Sequence, residues 1–249
     1  MSVILYQYPG SSGVPSISPP CLKVYLALRY IDVEHEVVDI HSPARARKMS
    51  KTGRLPVAEI DGRLIPDSVD IMDALEARYP DAGLTPADPQ QAIRDRLWEH
   101  FVNDHMYFVG YYLRWVVNRE RTFDAMFGRM PWYVKLGVRA QFLPRTRRRA
   151  QYHGIGGKDE AAVHASVERA FAMLAGGLEG GPFLQGRETP ARGDYASAGT
   201  LAQIGWRNSQ PDVLERFDRH PVLRDHTARV FDACKTTRPK WLGHPTQQE

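Results

Sequence analysis

Residues 53–71 read Gly53-Arg54-Leu55-Pro56-Val57-Ala58-Glu59-Ile60-Asp61-Gly62-Arg63-Leu64-Ile65-Pro66-Asp67-Ser68-Val69-Asp70-Ile71. Pro56 opens a short apolar run. A proline there is tolerated at a strand edge, because it has no N–H to give to a ladder. The sharper reading is a cis bond at Leu55-Pro56, since cis peptides are confined almost entirely to X-Pro. Such a turn leaves the Leu55 N–H and C=O free to pair with an extended ligand, as an added strand would. Asp61-Gly62, set between residues 57–60 and 63–65, is a strong tight-turn signal and makes those two runs a hairpin. Asp67-Ser68 then precedes a helical stripe of Ile71, Met72, Leu75 and Tyr79, which Pro80 ends. Either residue caps a helix well. A helix N-terminus with a spare hydroxyl is also an anion site, and a neighbouring carboxylate holds an ammonium. Together the pair suits an α-amino-acid head group.

Upstream of this stretch, residues 3–8 are apolar and β-prone and run into a Gly/Ser/Pro-rich loop over 9–20. From Cys21, the residues Leu22, Val24, Tyr25, Leu26, Leu28 and Ile31 recur at helical spacing. Residues 33–40 form a second strand and 43–51 a short basic helix. The order is β-α-β-α-β-β-α, which matches the thioredoxin fold. The first two strands are parallel, because a βαβ unit crosses over. Residues 81–90 hold Pro86, Pro89 and Gly83 and read as a linker. Beyond it, strand signals nearly vanish, and helices are expected through the aromatic stretch after Ile93 and over 132–151, 159–178, 195–209 and 221–235. The expected architecture is an α/β thioredoxin-like N-terminal domain (1–80) followed by an all-α C-terminal domain (91–240).

The bulk numbers agree with a globular chain. Its 249 residues are 43% hydrophobic and 25% charged, which needs no disulfide staples to build a core. Two cysteines and an N-terminus that reads as a strand, without the basic start of a signal peptide, imply a reducing, cytoplasmic setting. The net charge of +4 does not argue for nucleic acid. The nine histidines show no metal-ligand spacing, and no metal is expected.

A third feature is Ser16-Ile17-Ser18-Pro19-Pro20-Cys21, which leads into the first helix. Side chains here face the positive end of a helix dipole, where a thiolate is stabilised. Capping is the simpler role for Ser18, and a small buried apolar residue the simpler role for Cys21.

With these three features in this order, the whole chain resembles the glutathione transferase superfamily. The resemblance rests on Ser18-Pro19-Pro20-Cys21-Leu22-Lys23-Val24, Gly53-Arg54-Leu55-Pro56-Val57 and Pro66-Asp67-Ser68-Val69-Asp70-Ile71. It is closer to the metaxin and failed-axon-connections-like branch, through the proline-rich loop before Ser18 and through Arg147-Arg148-Arg149 followed by Gly154-Ile155-Gly156. The resemblance implies that Leu55 and Pro56 bind the cysteinyl backbone of glutathione and that Asp67 and Ser68 bind its γ-glutamyl group. Ser18 falls where serine-type members hold the glutathione sulfur. Phe183-Leu184-Gln185-Gly186-Arg187 and Thr189-Pro190-Ala191-Arg192-Gly193-Asp194 resemble the stretch that starts a buried helix in the family, with Ala191 where a Ser or Thr cap is usual. The family also implies a homodimer.

Tyr8 is a rival to Ser18 as thiol activator, although alternating strand residues are more often core. Cys21 is a third candidate. The aromatic cluster after Trp98 is helix-packing core in the simplest reading, and in this family the same helix lines the electrophile pocket, so Tyr107, Tyr111 and Trp115 are the pocket candidates. The five arginines over 139–149 read as a solvated helix face, with peripheral contact to an anionic membrane as the alternative. The expected function is conjugation of glutathione thiolate, with glutathione as co-substrate, to a small apolar electrophile. The rival functions are thiol transfer through Cys21 and non-catalytic binding on the same fold.

Overall fold

The computed structural model describes residues 2–128 and 130–243. The first elements are β1 (Val3–Gln7), α1 (Pro19–Tyr30), β2 (His35–Asp39), α2 (Pro43–Met49), β3 (Val57–Ile60), β4 (Arg63–Pro66) and α3 (Ser68–Arg78). The sheet order is β2-β1-β3-β4. β1 and β2 are parallel, with Leu5 opposite Val37. β3 lies antiparallel to β1, with Ala58 opposite Leu5, and β4 antiparallel to β3. This is the thioredoxin-like order expected from the sequence. Alternation along β1 divides the packing. Val3 and Leu5 join a core with Leu22 and Leu26 of α1 and with Ile71, Met72 and Leu75 of α3. Tyr6 packs with Val38 of β2 and Ala46 of α2 in a smaller cluster that includes Cys21 and Leu55.

The rest is helical: α4 (Pro89–His100), α5 (Tyr107–Tyr112), α6 (Arg119–Phe127), α7 (Trp132–Tyr152), α8 (Glu160–Gly177), α9 (Arg192–Leu201), α10 (Pro211–Asp218) and α11 (Pro221–Ala233). Two π-helical stretches, Phe101–Met106 and Leu113–Val117, join α4 to α5 and extend α5. Each shows an i→i+5 bond: the Tyr107 N–H donates to Val102 C=O, and the Asn118 N–H to Leu113 C=O. Among the described residues, no helix is long and apolar enough to cross a membrane.

Two sequence expectations need correction. Helices α6 and α10 were not anticipated. The helix expected over 195–209 starts earlier, at Arg192, and stops at Leu201. Its early start is set by Asp194, whose carboxylate accepts the N–H groups of Ala191 (2.9 Å) and Leu184 (2.9 Å); Ala191 has no side-chain acceptor to offer. Its end is a tertiary effect. The indole of Trp241 donates to the freed Ala202 C=O (3.1 Å), and its ring lies where a Cβ on Gly205 would be, 2.2 Å away.

Helix α9 docks the helical domain on α1, α4 and α11. At its centre is a buried ionic cluster. Glu99 accepts from Lys23 Nζ (2.8 Å) and from Arg192 Nε (2.7 Å). Arg192 also reaches Asp73 (2.6 Å) and Glu76 (3.1 Å) on α3. Burial opposes the charge on Glu99, yet Lys23 and Arg192 hold its carboxyl below the ordinary range. Removing one member of such a cluster strands the others in a low dielectric. Glu99→Gln is therefore expected to lower the unfolding free energy by about 3–5 kcal/mol, measured by urea titration. A loss below about 1 kcal/mol, the ordinary worth of an exposed pair, would show that water reaches the cluster.

Candidate functional site

The loop between β1 and α1 is held from several sides. Ser11 and Val14 pair through their backbones. Ser16 Oγ donates to Tyr8 C=O (2.7 Å), and Gln7 Nε2 donates to Pro15 C=O (2.9 Å). From the helical domain, Gln203 Nε2 donates to Ser16 C=O (2.9 Å). Gly10 is required here, since a Cβ would stand 2.4 Å from Val14 O. Helix α1 then starts with Pro19-Pro20, whose missing N–H groups cost nothing in a first turn. Ser18 is the N-cap residue, in extended backbone, and its side chain makes no capping hydrogen bond. The reason is chemical: the N2 position, one of the two a cap serves, is a proline without a donor.

The Ser18 hydroxyl bears instead on Cys21, which is completely buried. Burial pushes the Cys21 thiol up to about 11, against hydrogen bonds from Ser18, the Tyr8 backbone and Ser16 that pull it down. Tyr8 is half-buried beside it. Burial, then Cys21 and Tyr107, raise its phenol, while Arg149 and Arg54 act the other way.

The Leu55-Pro56 bond is cis. The ladders of β3 begin at Val57, so the Leu55 backbone lies outside the sheet, while its side chain is buried in the cluster that holds Cys21 and touches Tyr8. Asp67, the N-cap of α3, sits at φ 76°, ψ 136° and accepts the Val69 N–H (2.8 Å). That backbone region costs a non-glycine residue on the order of 1–3 kcal/mol, and strain of this kind concentrates at binding sites. Ser68 is buried at the first position of α3.

The helical side of the site is aromatic. The rings of Tyr107 and Tyr111 are 6.1 Å apart, and burial pushes the Tyr111 phenol up to about 12. Trp115 has different neighbours: it is buried against Phe142, ring centroids 4.9 Å apart, and lines a cleft with Arg119, Arg147 and Arg148. A 3.6-residue period would align 107, 111 and 115, but the π-helical stretch from Leu113 turns the following residues away from that line. Ser18, Cys21, Leu55, Tyr8, Tyr107 and Tyr111 thus form one linked group, Asp67-Ser68 stand at the α3 N-terminus, and Trp115 stands apart.

Residues 19–122 match the family model of the glutathione S-transferase N-terminal domain. Over 253 residues the chain is 26% identical to Failed axon connections of Drosophila melanogaster, covering 93% of this chain and 58% of that protein. The likeness to glutathione S-transferases is thus one of family model over residues 19–122 and of fold over nearly the whole chain. Solved structures share its fold at low identity. A glutathione S-transferase from Methylobacillus flagellatus, with glutathione bound, superposes with a TM-score of 0.59 at 19% identity, over 94% of this chain and 97% of that one. The Tau class glutathione S-transferase from mango gives 0.61 at 16%, over 96% and 94%. The chain spans little more than half of its Drosophila relative.

Two arginines of this site escaped the sequence reading as site residues. Arg149 of α7 lies over the Tyr107, Phe108 and Tyr111 rings. Arg114 is buried and donates to Gln203 C=O (3.1 Å). Arg147, Arg148 and Arg149 are consecutive and span about 200° of the helix circumference, an arc that a solvated face can hold, so the sequence carried no signal that singled out Arg149. Among the described residues, no group of three or more His, Cys, Asp or Glu side chains is placed to hold a metal.

With a pKa of about 11, Cys21 holds roughly one part in 10⁴ of thiolate at neutral pH. Iodoacetamide is therefore expected to leave native Cys21 unmodified at neutral pH, with the rate climbing toward pH 11, while unfolded protein reacts freely. Peptide mass spectrometry reads this out. Native labelling at the unfolded rate would refute the burial argument.

Proposed function

We propose that this protein binds glutathione in an extended form and uses its thiolate to attack an electrophile held by the helical domain. The observation that carries the reading is the Ser18 hydroxyl, uncommitted to capping, at the N-terminus of α1 and beside the Leu55 cluster. In this reading the cysteinyl backbone of glutathione pairs with Leu55 and lies against Pro56. Its γ-glutamyl carboxylate takes the first turn of α3 at Ser68, and its ammonium takes Asp67. The sulfur then lies within reach of Ser18. A hydroxyl donor and the positive end of a helix both favour the thiolate over the thiol. The thiol proton leaves to solvent, the sulfur forms a bond to the electrophilic carbon, and the leaving group departs with its electron pair.

Tyr107 and Tyr111 wall the second pocket, with Trp115 outside their line. Tyr8, kept protonated by its surroundings, is a second donor toward the sulfur. The likeness of the fold to a structure with glutathione bound supports glutathione as the co-substrate. The buried Cys21 has little thiolate to offer a mixed disulfide, which favours conjugation over thiol transfer.

Calorimetry with glutathione tests the binding half, and absence of heat would overturn the reading. Ser18→Ala tests the chemistry. With 1-chloro-2,4-dinitrobenzene, kcat is expected to fall about 10²-fold, as for loss of one preorganised donor, while glutathione affinity changes little. Turnover that survives the substitution would assign the sulfur contact to Tyr8. Binding without any turnover in the wild type would leave a glutathione-binding protein rather than a transferase.

A further inference from the structure

The aromatic wall of the site carries positive charge that no carboxylate among the described residues pairs with. The guanidinium of Arg149 lies 5.4 Å from the centroid of Tyr107, 5.4 Å from Phe108 and 4.8 Å from Tyr111. Its Nε is buried without a hydrogen-bond partner. Among the described residues it joins no ion pair. Arg114, in the π-helical stretch that follows Tyr107 and Tyr111, is buried and donates to the carbonyl of Gln203. Burial lowers it to about 10, with only Tyr107 acting in its favour, so it remains a cation at neutral pH. Arg54 acts on Tyr8 and Tyr111 from the other side. Helix α7 supplies six lysines and arginines and no acid.

The contrast within the molecule decides what this means. Arg192 is also buried, and it is met by Glu99, Asp73 and Glu76. The protein therefore balances a buried arginine with carboxylates where the role is structural. At the aromatic wall it does not. Stacking on three rings offers Arg149 a cation–π attraction, and its side chain donates a hydrogen bond to the Tyr111 hydroxyl, but neither gives a partner to its buried Nε or a negative charge to the guanidinium. A planar guanidinium so placed matches a carboxylate.

We propose that the second substrate carries a carboxylate, and that Arg149 recognises it while the substrate's aromatic or apolar body lies against Tyr107 and Tyr111. This rests on the glutathione reading above and gives the co-substrate its chemical class: an acidic electrophile rather than a neutral one. Arg114 raises the local potential from behind Tyr107.

The test uses two glutathione conjugates that differ only in charge: the product of 4-chloro-3-nitrobenzoate and the product of its methyl ester. Calorimetry on the full chain gives the affinity for glutathione and for each conjugate. The wild type is expected to bind the acid about tenfold more tightly than the ester, the worth of one charge-assisted hydrogen bond. In Arg149→Gln that ratio is expected to collapse toward one, and in Arg149→Lys to recover in part. Equal affinities in the wild type, or an Arg149→Gln variant that weakens both conjugates alike, would overturn the proposal and leave Arg149 as a stabiliser of the sulfur or of the wall. If the variants fail to fold, the wild-type ratio alone decides. Failure to bind glutathione itself would be separate: it removes the glutathione reading and this proposal with it.

Discussion

Lys23, Glu99 and Arg192 share one dry interior, and the geometry of the site follows from how they are satisfied. Each charge is expensive to bury, and only the full set of partners makes the burial tolerable. Because Lys23 lies on α1, Glu99 on α4, Arg192 on α9 and Asp73 on α3, satisfying the set fixes four helices relative to one another. The contact is close. A Cβ on Gly199 would come within 2.9 Å of the Pro19 carbonyl and 3.1 Å of the Lys23 nitrogen. Helix α9 therefore presses on the first turn of α1, the turn whose entrance Ser18 occupies. Gln203, just beyond α9, holds the preceding loop through Ser16.

The site uses charge in the opposite way. In the ionic cluster, every cation is met by a carboxylate and the result is rigidity. Around Tyr8, Tyr107 and Tyr111, donors and cations are gathered, and among the described residues no acid forms an ion pair with them. Such a surface gains little stability from its own contacts, because its complement is absent from the chain. On the proposed reading that complement is an anion from outside, a thiolate at Ser18 or a carboxylate at Arg149. The same α1 N-terminus holds Cys21 one turn deeper than Ser18, where burial keeps it a thiol.

Much of this was legible in the sequence because it is local. Pro56 after Leu55, Asp61-Gly62 in the hairpin and Asp67-Ser68 before Ile71 each impose a backbone choice on their immediate neighbours, and the sheet order followed from their succession. The end of α9 was not legible, since it depends on Trp241 lying against Gly205, a contact distant in sequence. The placing of Trp115 was not legible either. Periodicity assumes 3.6 residues per turn, and the π-helical stretches at 101–106 and 113–117 break that assumption inside a helix that otherwise looks continuous. The burial of Lys23 and Arg192 was not legible, because nothing short-range reveals that Glu99 stands between them.

The ionic cluster also orders the events of synthesis. Lys23 leaves the ribosome early, Glu99 follows, and Arg192 emerges when most of the chain has been made. Until then, closing α1 against α4 would bury Lys23 and Glu99 without the guanidinium that joins them to α3. The nascent thioredoxin-like half must therefore keep this face hydrated and wait. Its sheet and hairpin can form from local contacts, but the seat of α9 stays open until the last third of the chain arrives. Two domains in the folded protein are, during its making, a single unfinished one.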